Sequence, residues 1–359
     1  MIGQIERPGS RVAPQAAATG PLPQGHPPVL REKIGVILSN LGTPDGTSYW
    51  PMRRYLSEFL SDRRVIEKPF LLWQALLQGV ILTKRPGRKG KDYETIWNKE
   101  LDEGPLKTVT RSQAQKVQAI LAGRYPNVVV DFGMRYANPA LPAVVERLFR
   151  QGCTRLVLLP LYPQYSAATT ATGCDVVFKK LMSMRWQPAL RTAPPYHDHP
   201  SYVRTIADSI RDHLAGLDWQ PDKLVMSFHG MPKEYLLRGD PYHCQCHKTA
   251  RLVFSELGLE PERTQVCFQS RFGPDEWLQP YLDETMAALP KQGVKKVAVI
   301  SPGFSVDCLE TLEEIEGENR EIFTHAGGEQ FTYIPCLNDG EAGIRLIVEL
   351  VERELAGWV

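Results

Sequence analysis

From Gly35 onward, short apolar runs alternate with stretches in which apolar residues recur every three or four positions. The runs are GVILSN from 35, VVVDFGMRY from 128, RLVLLPLY from 155 and ALRTAPPY from 189. A second set follows, with LVMSFHG from 224, TQVCFQSRF from 264, KVAVISPGF from 296 and FTYIPCLN from 331. Strands this continuously apolar predict parallel sheets covered on both faces. The intervening segments read as helices; in LPAVVERLF, for example, Leu141, Val144, Val145, Leu148 and Phe149 share one face. The predicted class is α/β.

The two sets of strands also match in detail. FGMRYANP at 132 corresponds to FQSRFGPDEW at 268, each followed by a helix, a Gln-Gly pair (Gln151-Gly152 and Gln292-Gly293), a strand and an aromatic-Ser pair (Tyr165-Ser166 and Phe304-Ser305). This predicts an internal duplication, two similar open α/β lobes with the chemistry at the carboxyl ends of their strands, in the cleft between them. The expected organisation is a flexible N-terminal tail over 1–32, lobe 1 over 33–190, lobe 2 over 191–335, and a C-terminal helix over 336–359 packing back on lobe 1. Lobe 1 carries an insertion over about 50–106. Within it FLLWQALLQGVIL (70–82) precedes the basic KRPGRKGK (84–91). Two readings stand side by side: an apolar lip resting on an anionic membrane surface through 70–91, and an ordinary buried helix followed by a basic loop.

Composition narrows the function. The 42 basic and 41 acidic side chains cancel, which gives no reason to expect nucleic acid as a partner. Seven scattered cysteines and a Pro-, Ala- and Gly-rich start without an apolar core predict reduced thiols in a cytoplasmic protein. There is no apolar run of the roughly 18 residues that a membrane span needs.

The strand ends hold the candidate chemistry. SNLGTPDG (39–46) has neither the glycine spacing of a dinucleotide site nor the lysine of a P-loop. Arg135-Tyr136 offers a cation and a ring for a carboxylate or a flat ligand, and YPQYSAATTATG (162–173) adds hydroxyls. His229 directly follows the strand LVMSF, where an imidazole can act as a base or ligate a metal. SPGFSVDCLETLEEIEGENREIF (301–323) then places Glu310, Glu314 and Glu318 four apart, so an α-helix stacks them into an acidic ridge that runs on to Glu321. The helix dipole accounts for Asp307 and in part for Glu310, but not for the continuing row. His229 with these carboxylates suits a passing divalent ion, or departing protons, better than a fixed zinc. In HCQCH, the residues His243, Cys244, Cys246 and His247 look like ligands, with Cys267 a further candidate, although packing or redox chemistry is the plainer reading.

Taken in order, NLGTPD, RRYLSEFLSDRRVI, GMRY, YPQYS, SFHGMP, RGDPYHCQC, QSRFGPDEWLQP and PGFSVDCLETLEE resemble the ferrochelatases, over roughly 33–355. The resemblance implies two Rossmann-like lobes without a nucleotide, and insertion of Fe2+ into protoporphyrin IX at the end of heme synthesis. It implies a metal pair on His229 and Glu310, with Glu314 next along the acidic path and Asp307 before it. It also implies porphyrin contacts from Leu41, Arg135, Tyr136 and Phe304. Iron and porphyrin are then the partners, in a monomer or homodimer, and no resident cofactor is required. The animal enzymes bind a two-iron two-sulfur cluster through a cysteine-rich tail and an internal cysteine. This chain ends Gly357-Trp358-Val359 and has Ala167 at the internal position, so no such cluster is expected. Cys308 stands where animal relatives have His, which removes a second imidazole from the site. The rivals are a chelatase for another porphyrinoid or metal, and a two-lobed carrier that binds heme or metal without turnover.

Overall fold

The predicted strands all form, and they pair only in parallel. The computed structural model describes residues 23–26 and 28–359, so most of the tail expected over 1–32 lies outside the described residues. The strands lie in the compact unit Glu32–Val359. Within that unit the strands are β1 (Lys33–Gly42), β2 (Val128–Tyr136), β3 (Cys153–Pro160) and β4 (Ala189–Thr192), then β5 (Lys223–His229), β6 (Thr264–Gln269), β7 (Lys296–Ile300) and β8 (Gln330–Ile334). The first four make one sheet in the order β2-β1-β3-β4 and the last four a second in the order β6-β5-β7-β8. Equal strand orders in the two halves are the physical form of the duplication.

The register moves one detail of that duplication. Met134 pairs with Asn40 and donates its N–H to the carbonyl of Pro139 at 2.7 Å; Phe268 pairs with Phe228 and donates to Pro280 at 2.8 Å. Phe268 is therefore the partner of Met134, not of Phe132, and Arg271 does not correspond to Arg135. The repeated Phe-x-x-Arg spelling is a coincidence offset by two residues. The true equivalence aligns Ser39-Asn40-Leu41-Gly42 with Ser227-Phe228-His229-Gly230. Leu41 and His229 thus close equivalent central strands. Gly42 has a φ of +121°, and a Cβ there would sit 2.0 Å from the carbonyl oxygen of Tyr136, so only glycine fits.

Apolar strand residues explain the packing. In β1 the residues Val36, Ile37 and Leu38 are fully buried, with Ile37 facing Leu141, Val144 and Leu148 on one side while Val36 and Leu38 join a larger core on the other. That core crosses between the lobes, joining Val157 and Leu159 to Met226, Phe228 and Ala298. The helix Glu341–Leu355 completes it with Ile344, Ile347, Val351 and Leu355. Its surroundings are tied to the first half of the chain: Arg124 pairs with Glu352 at 2.7 Å, Arg191 donates to the carbonyl of Ala356 at 2.9 Å, and Gln113 donates to the carbonyl of Asn338 at 2.7 Å.

The insertion is helical throughout its basic part, so the basic loop expected at 84–91 is replaced by the helix Leu82–Ile96. Before it come the helices Tyr49–Leu60 and Phe70–Leu76 and a five-residue π-turn, Leu77–Ile81. Met52, Leu56, Leu60, Leu77, Leu82 and Tyr93 bury one face of this unit. The segment Phe70–Leu76 buries none of its own residues; Leu71 and Leu72 are 82% and 74% exposed, and Val80 is exposed beyond them. The ordinary buried helix is therefore not what 70–76 forms. Among the described residues, no helix is long and apolar enough to cross a membrane.

Candidate active site

A cavity of about 420 Å³ opens where the strands of both sheets end. Leu41 reaches it from the end of β1, His229 from the end of β5, and Phe304 from the turn after β7. Glu310, Glu313, Glu314 and Glu318 line the same space, and the insertion contributes Tyr55, Phe59, Arg85 and Tyr93. Five of the residues singled out in the sequence, Leu41, His229, Phe304, Glu310 and Glu314, are thereby brought together, with Glu318 beside them.

His229 is held by its own backbone. Its Nδ1 lies 2.6 Å from the carbonyl oxygen of Gly230. A carbonyl can only accept, so Nδ1 carries the proton and, in the neutral ring, Nε2 keeps a lone pair for a proton or a metal. The glutamate row is anchored just as specifically. The carbonyl of Glu310 accepts from Gln269 Nε2 at 2.6 Å, and Gln269 Oε1 accepts from Ser227 Oγ at 2.5 Å. The Glu314 carboxylate accepts from the N–H of Ser270 at 2.7 Å and from its Oγ at 2.5 Å. Burial nevertheless pushes the Glu314 carboxyl up to about 7, with repulsion from Glu310 and Glu318 adding to the rise and Ser270 opposing it. Glu313 is also pushed up to about 7, first by burial and then by Glu318, against a lowering from Lys89. Two carboxyls in the cavity thus titrate near neutrality.

The continuous α-helix expected under this row is broken. An α-helical turn, Leu309–Leu312, passes into a π-helical stretch, Glu314–Asn319, and then into the helix Arg320–His325. The N–H of Glu318 reaches back five residues to the carbonyl of Glu313 at 2.9 Å. Residues four apart come nearly full circle in either kind of turn. Glu314 and Glu318 thus stay on the cavity side, and Glu321 points to solvent outside the lining.

Three expected residues lie elsewhere. Asp307 is buried outside the cavity, where its carboxylate accepts from Tyr333 Oη at 2.6 Å and Asn338 Nδ2 at 2.7 Å; it pins the start of the Glu310 turn. Cys308, not Asp307, caps that turn. Tyr136 is fully buried and donates to Asp62 at 2.8 Å, while Arg135 lies over the Tyr136 ring and donates to Asp62 at 2.5 Å and to Thr172 at 2.5 Å. Arg135 opens instead on a wider groove of about 1030 Å³, lined by Arg53, Arg54, Arg63 and Arg64 together with Glu58, Asp62, Glu67 and Asp175, which holds no histidine. Tyr136 touches the active cavity at second hand, through Phe59, whose ring centre is 5.1 Å away.

The HCQCH residues occupy the helix Tyr242–Leu257. Cys246 is buried in the inter-lobe core and Cys244 is exposed, whereas Cys267 belongs to the core on the other face of the second sheet and does not approach them. Burial lowers His243 and His247 from the usual histidine value. Among the described residues, no group of three or more His, Cys, Asp or Glu side chains is placed to hold a metal ion.

Several lining residues were not anticipated. Ser270, the clamp on Glu314, directly follows β6, and the rule that chemistry follows strand ends would have found it there. Tyr55 and Tyr93 are buried beside Glu310, and burial, reinforced by the Glu310 charge, raises both hydroxyls. Arg85, Arg88 and Lys89 bring positive charge to the lining, from a helix whose sequence suggests only a surface.

Comparison with known proteins identifies the family. The ferrochelatase family model matches residues 33–355. The ferrochelatase of Allorhizobium ampelinum is 57% identical over 344 residues, covering 96% of this chain and 100% of the relative. That of Agrobacterium fabrum is 56% identical over 338 residues, covering 94% and 98%. Among solved structures, SirB from Bacillus subtilis with Fe3+ is similar in fold at 13% identity, with a TM-score of 0.52 over 69% of this chain and 91% of its own. With the family pattern matched across both lobes and the cavity between them, the chain belongs to the ferrochelatase family.

Proposed function

We propose that this chelatase, a lyase of heme biosynthesis, inserts Fe2+ into protoporphyrin IX with release of two protons, and that it does so in the cavity of His229. The observation that carries this reading is an imidazole with an available Nε2 facing a row of glutamates in a cavity whose other walls include Leu41, Phe59, Phe304 and Leu309. Apolar and aromatic walls suit a flat macrocycle, with Leu41 and Phe304 against its faces. The porphyrin's two inner N–H protons must leave as iron enters, and His229 is placed to accept them. Glu310 pairs with His229 at the metal, and Glu314 begins the path along which a charged species moves. A carboxyl near neutrality suits that task, since it gains and loses a proton at little cost. Arg85, Arg88 and Lys89 supply the charge to meet the substrate's carboxylates. Arg135 and Tyr136 support the porphyrin wall from behind Phe59.

The test is anaerobic: purified protein, protoporphyrin IX and ferrous iron, followed by the porphyrin absorption bands, with zinc in parallel. Many metallated porphyrins per protein molecule are expected. Uptake that stops at one equivalent would identify a carrier instead, and turnover of coproporphyrin alone would move the substrate assignment.

The exposed apolar face of Phe70–Leu76, with the exposed Lys84 and Lys91 after it, supports a second part of this proposal. The enzyme works in the cytoplasm and rests peripherally on an anionic membrane through 70–91. Vesicles containing phosphatidylglycerol are expected to co-sediment the protein, and a Leu71→Asp, Leu72→Asp double variant to stay in solution. Equal sedimentation of parent and variant would remove this contact.

A further inference from the structure

The helix Tyr242–Leu257 carries two histidines that the cavity does not use. Four residues apart, His243 and His247 share a helix face, and their ring centres are 4.4 Å apart with planes tilted by 51°. Both are part-exposed. Against them lies the buried ring of Phe268, its centre 5.8 Å from that of His243 and 6.0 Å from that of His247. This floor limits ring rotation and holds the pair side by side. The separation is that of neighbouring ligands on one ion: a metal–nitrogen bond of about 2.0–2.1 Å plus roughly 1.1 Å to the ring centre puts two imidazoles about 4.5 Å apart at an angle of about 90°.

We propose that His243 and His247 form a second metal site, separate from the cavity, in which two imidazoles clamp a borderline divalent ion such as Cu2+, Ni2+ or Zn2+ and water completes the coordination. Neither histidine lines the cavity. Among the described residues no third His, Cys, Asp or Glu completes the set, so the ion is held by neutral donors and exchanges with solution. Cys246 faces the core, and the exposed Cys244 is one residue on from His243, about 100° round the helix. Nitrogen donors hold Cu2+ most tightly and Fe2+ far less. The site therefore collects ions that compete with iron and leaves iron itself to the cavity.

Equilibrium dialysis with Zn2+ alone, without porphyrin and in a His229→Ala background that disables the cavity pair, tests this directly. One zinc per chain is expected. Adding His247→Ala or His243→Gln should weaken it at least tenfold, while Cys244→Ser leaves it unchanged. His247→Ala in the parent enzyme should leave iron insertion unaffected. Undiminished zinc binding after His247→Ala, or its loss on Cys244→Ser, would overturn the assignment. A measurement on the unaltered protein guards against a substitution that disturbs packing on Phe268. On adding Cu2+, the imidazole proton resonances of His243 and His247 should broaden together, whatever happens at His229, and broadening that spares either of the two counts against the site.

Discussion

A His229→Ala enzyme is expected to bind protoporphyrin nearly as tightly as the parent and to metallate it at least a hundredfold more slowly. The two effects separate because different parts of the cavity produce them. In the proposed mode of binding, porphyrin affinity comes from the apolar walls, Leu41, Phe59, Phe304 and Leu309, and from the cations Arg85, Arg88 and Lys89, all untouched by the substitution. The rate depends on a proton acceptor at the place where the macrocycle loses its protons, and a positioned acid or base contributes about 10²–10⁴-fold. The Gly230 carbonyl makes His229 suitable by fixing its tautomer, so the lone pair on Nε2 does not have to be selected anew in each turnover. Fluorescence quenching of bound porphyrin gives the affinity, and initial rates with Fe2+ under nitrogen give turnover. Retained turnover would rule His229 out as the essential base; lost binding would make it part of the wall.

Replacing Glu314 with glutamine is expected to move activity and stability in opposite directions. Its carboxyl rises from the usual 4.5 to about 7 on folding. Between those values the unfolded chain has already lost a proton that the folded chain still holds. The folded state is therefore penalised progressively as pH rises through that window, and the full penalty applies above it. A shift of this size corresponds to a cost on the order of 3 kcal/mol. Glu314→Gln removes the charge and should unfold at a higher temperature than the parent at pH 8, with little difference at pH 4.5. Insertion should slow at least tenfold, and a titration near pH 7 should disappear from the kcat profile. An unchanged rate would return Glu314 to a structural role beside Ser270. Equal thermal stability across the pH range would mean that the folded protein accommodates the charge without cost.

The strands were legible as apolar runs between helical stretches: β1, β3, β5 and β7 are buried along most of their length, whereas β4 is four residues at a sheet edge with Ala189 and Thr192 exposed. His229 was legible because strand ends in such sheets face the cleft, whereas Leu41 and Phe304 were pointed to only by the family resemblance. The path of the glutamate row was not, because a π-turn is set by hydrogen bonds to the fifth residue back and leaves no mark in apolar spacing. Arg135 and Tyr136 stand at a strand end as well, but Asp62 of the insertion captures both, and the sequence does not tell which of two facing groups binds a ligand and which binds its neighbour. Leu71 and Leu72 were ambiguous for a related reason: an apolar helix looks the same whether its partner is the core of its own chain or something outside it.

The helix Glu341–Leu355 follows all eight strands in the sequence yet fills the core between the lobes. Synthesis on the ribosome proceeds from the other end. The faces that bury Ile344, Ile347 and Val351, around Val117, Leu121 and Ile206, must wait uncovered until this helix is made, and until then they are apolar surfaces open to water and to chaperones. A stop codon shortly before Glu341 would therefore spare every residue of the active cavity and still produce an inactive protein, cleared by proteolysis because its core was never closed.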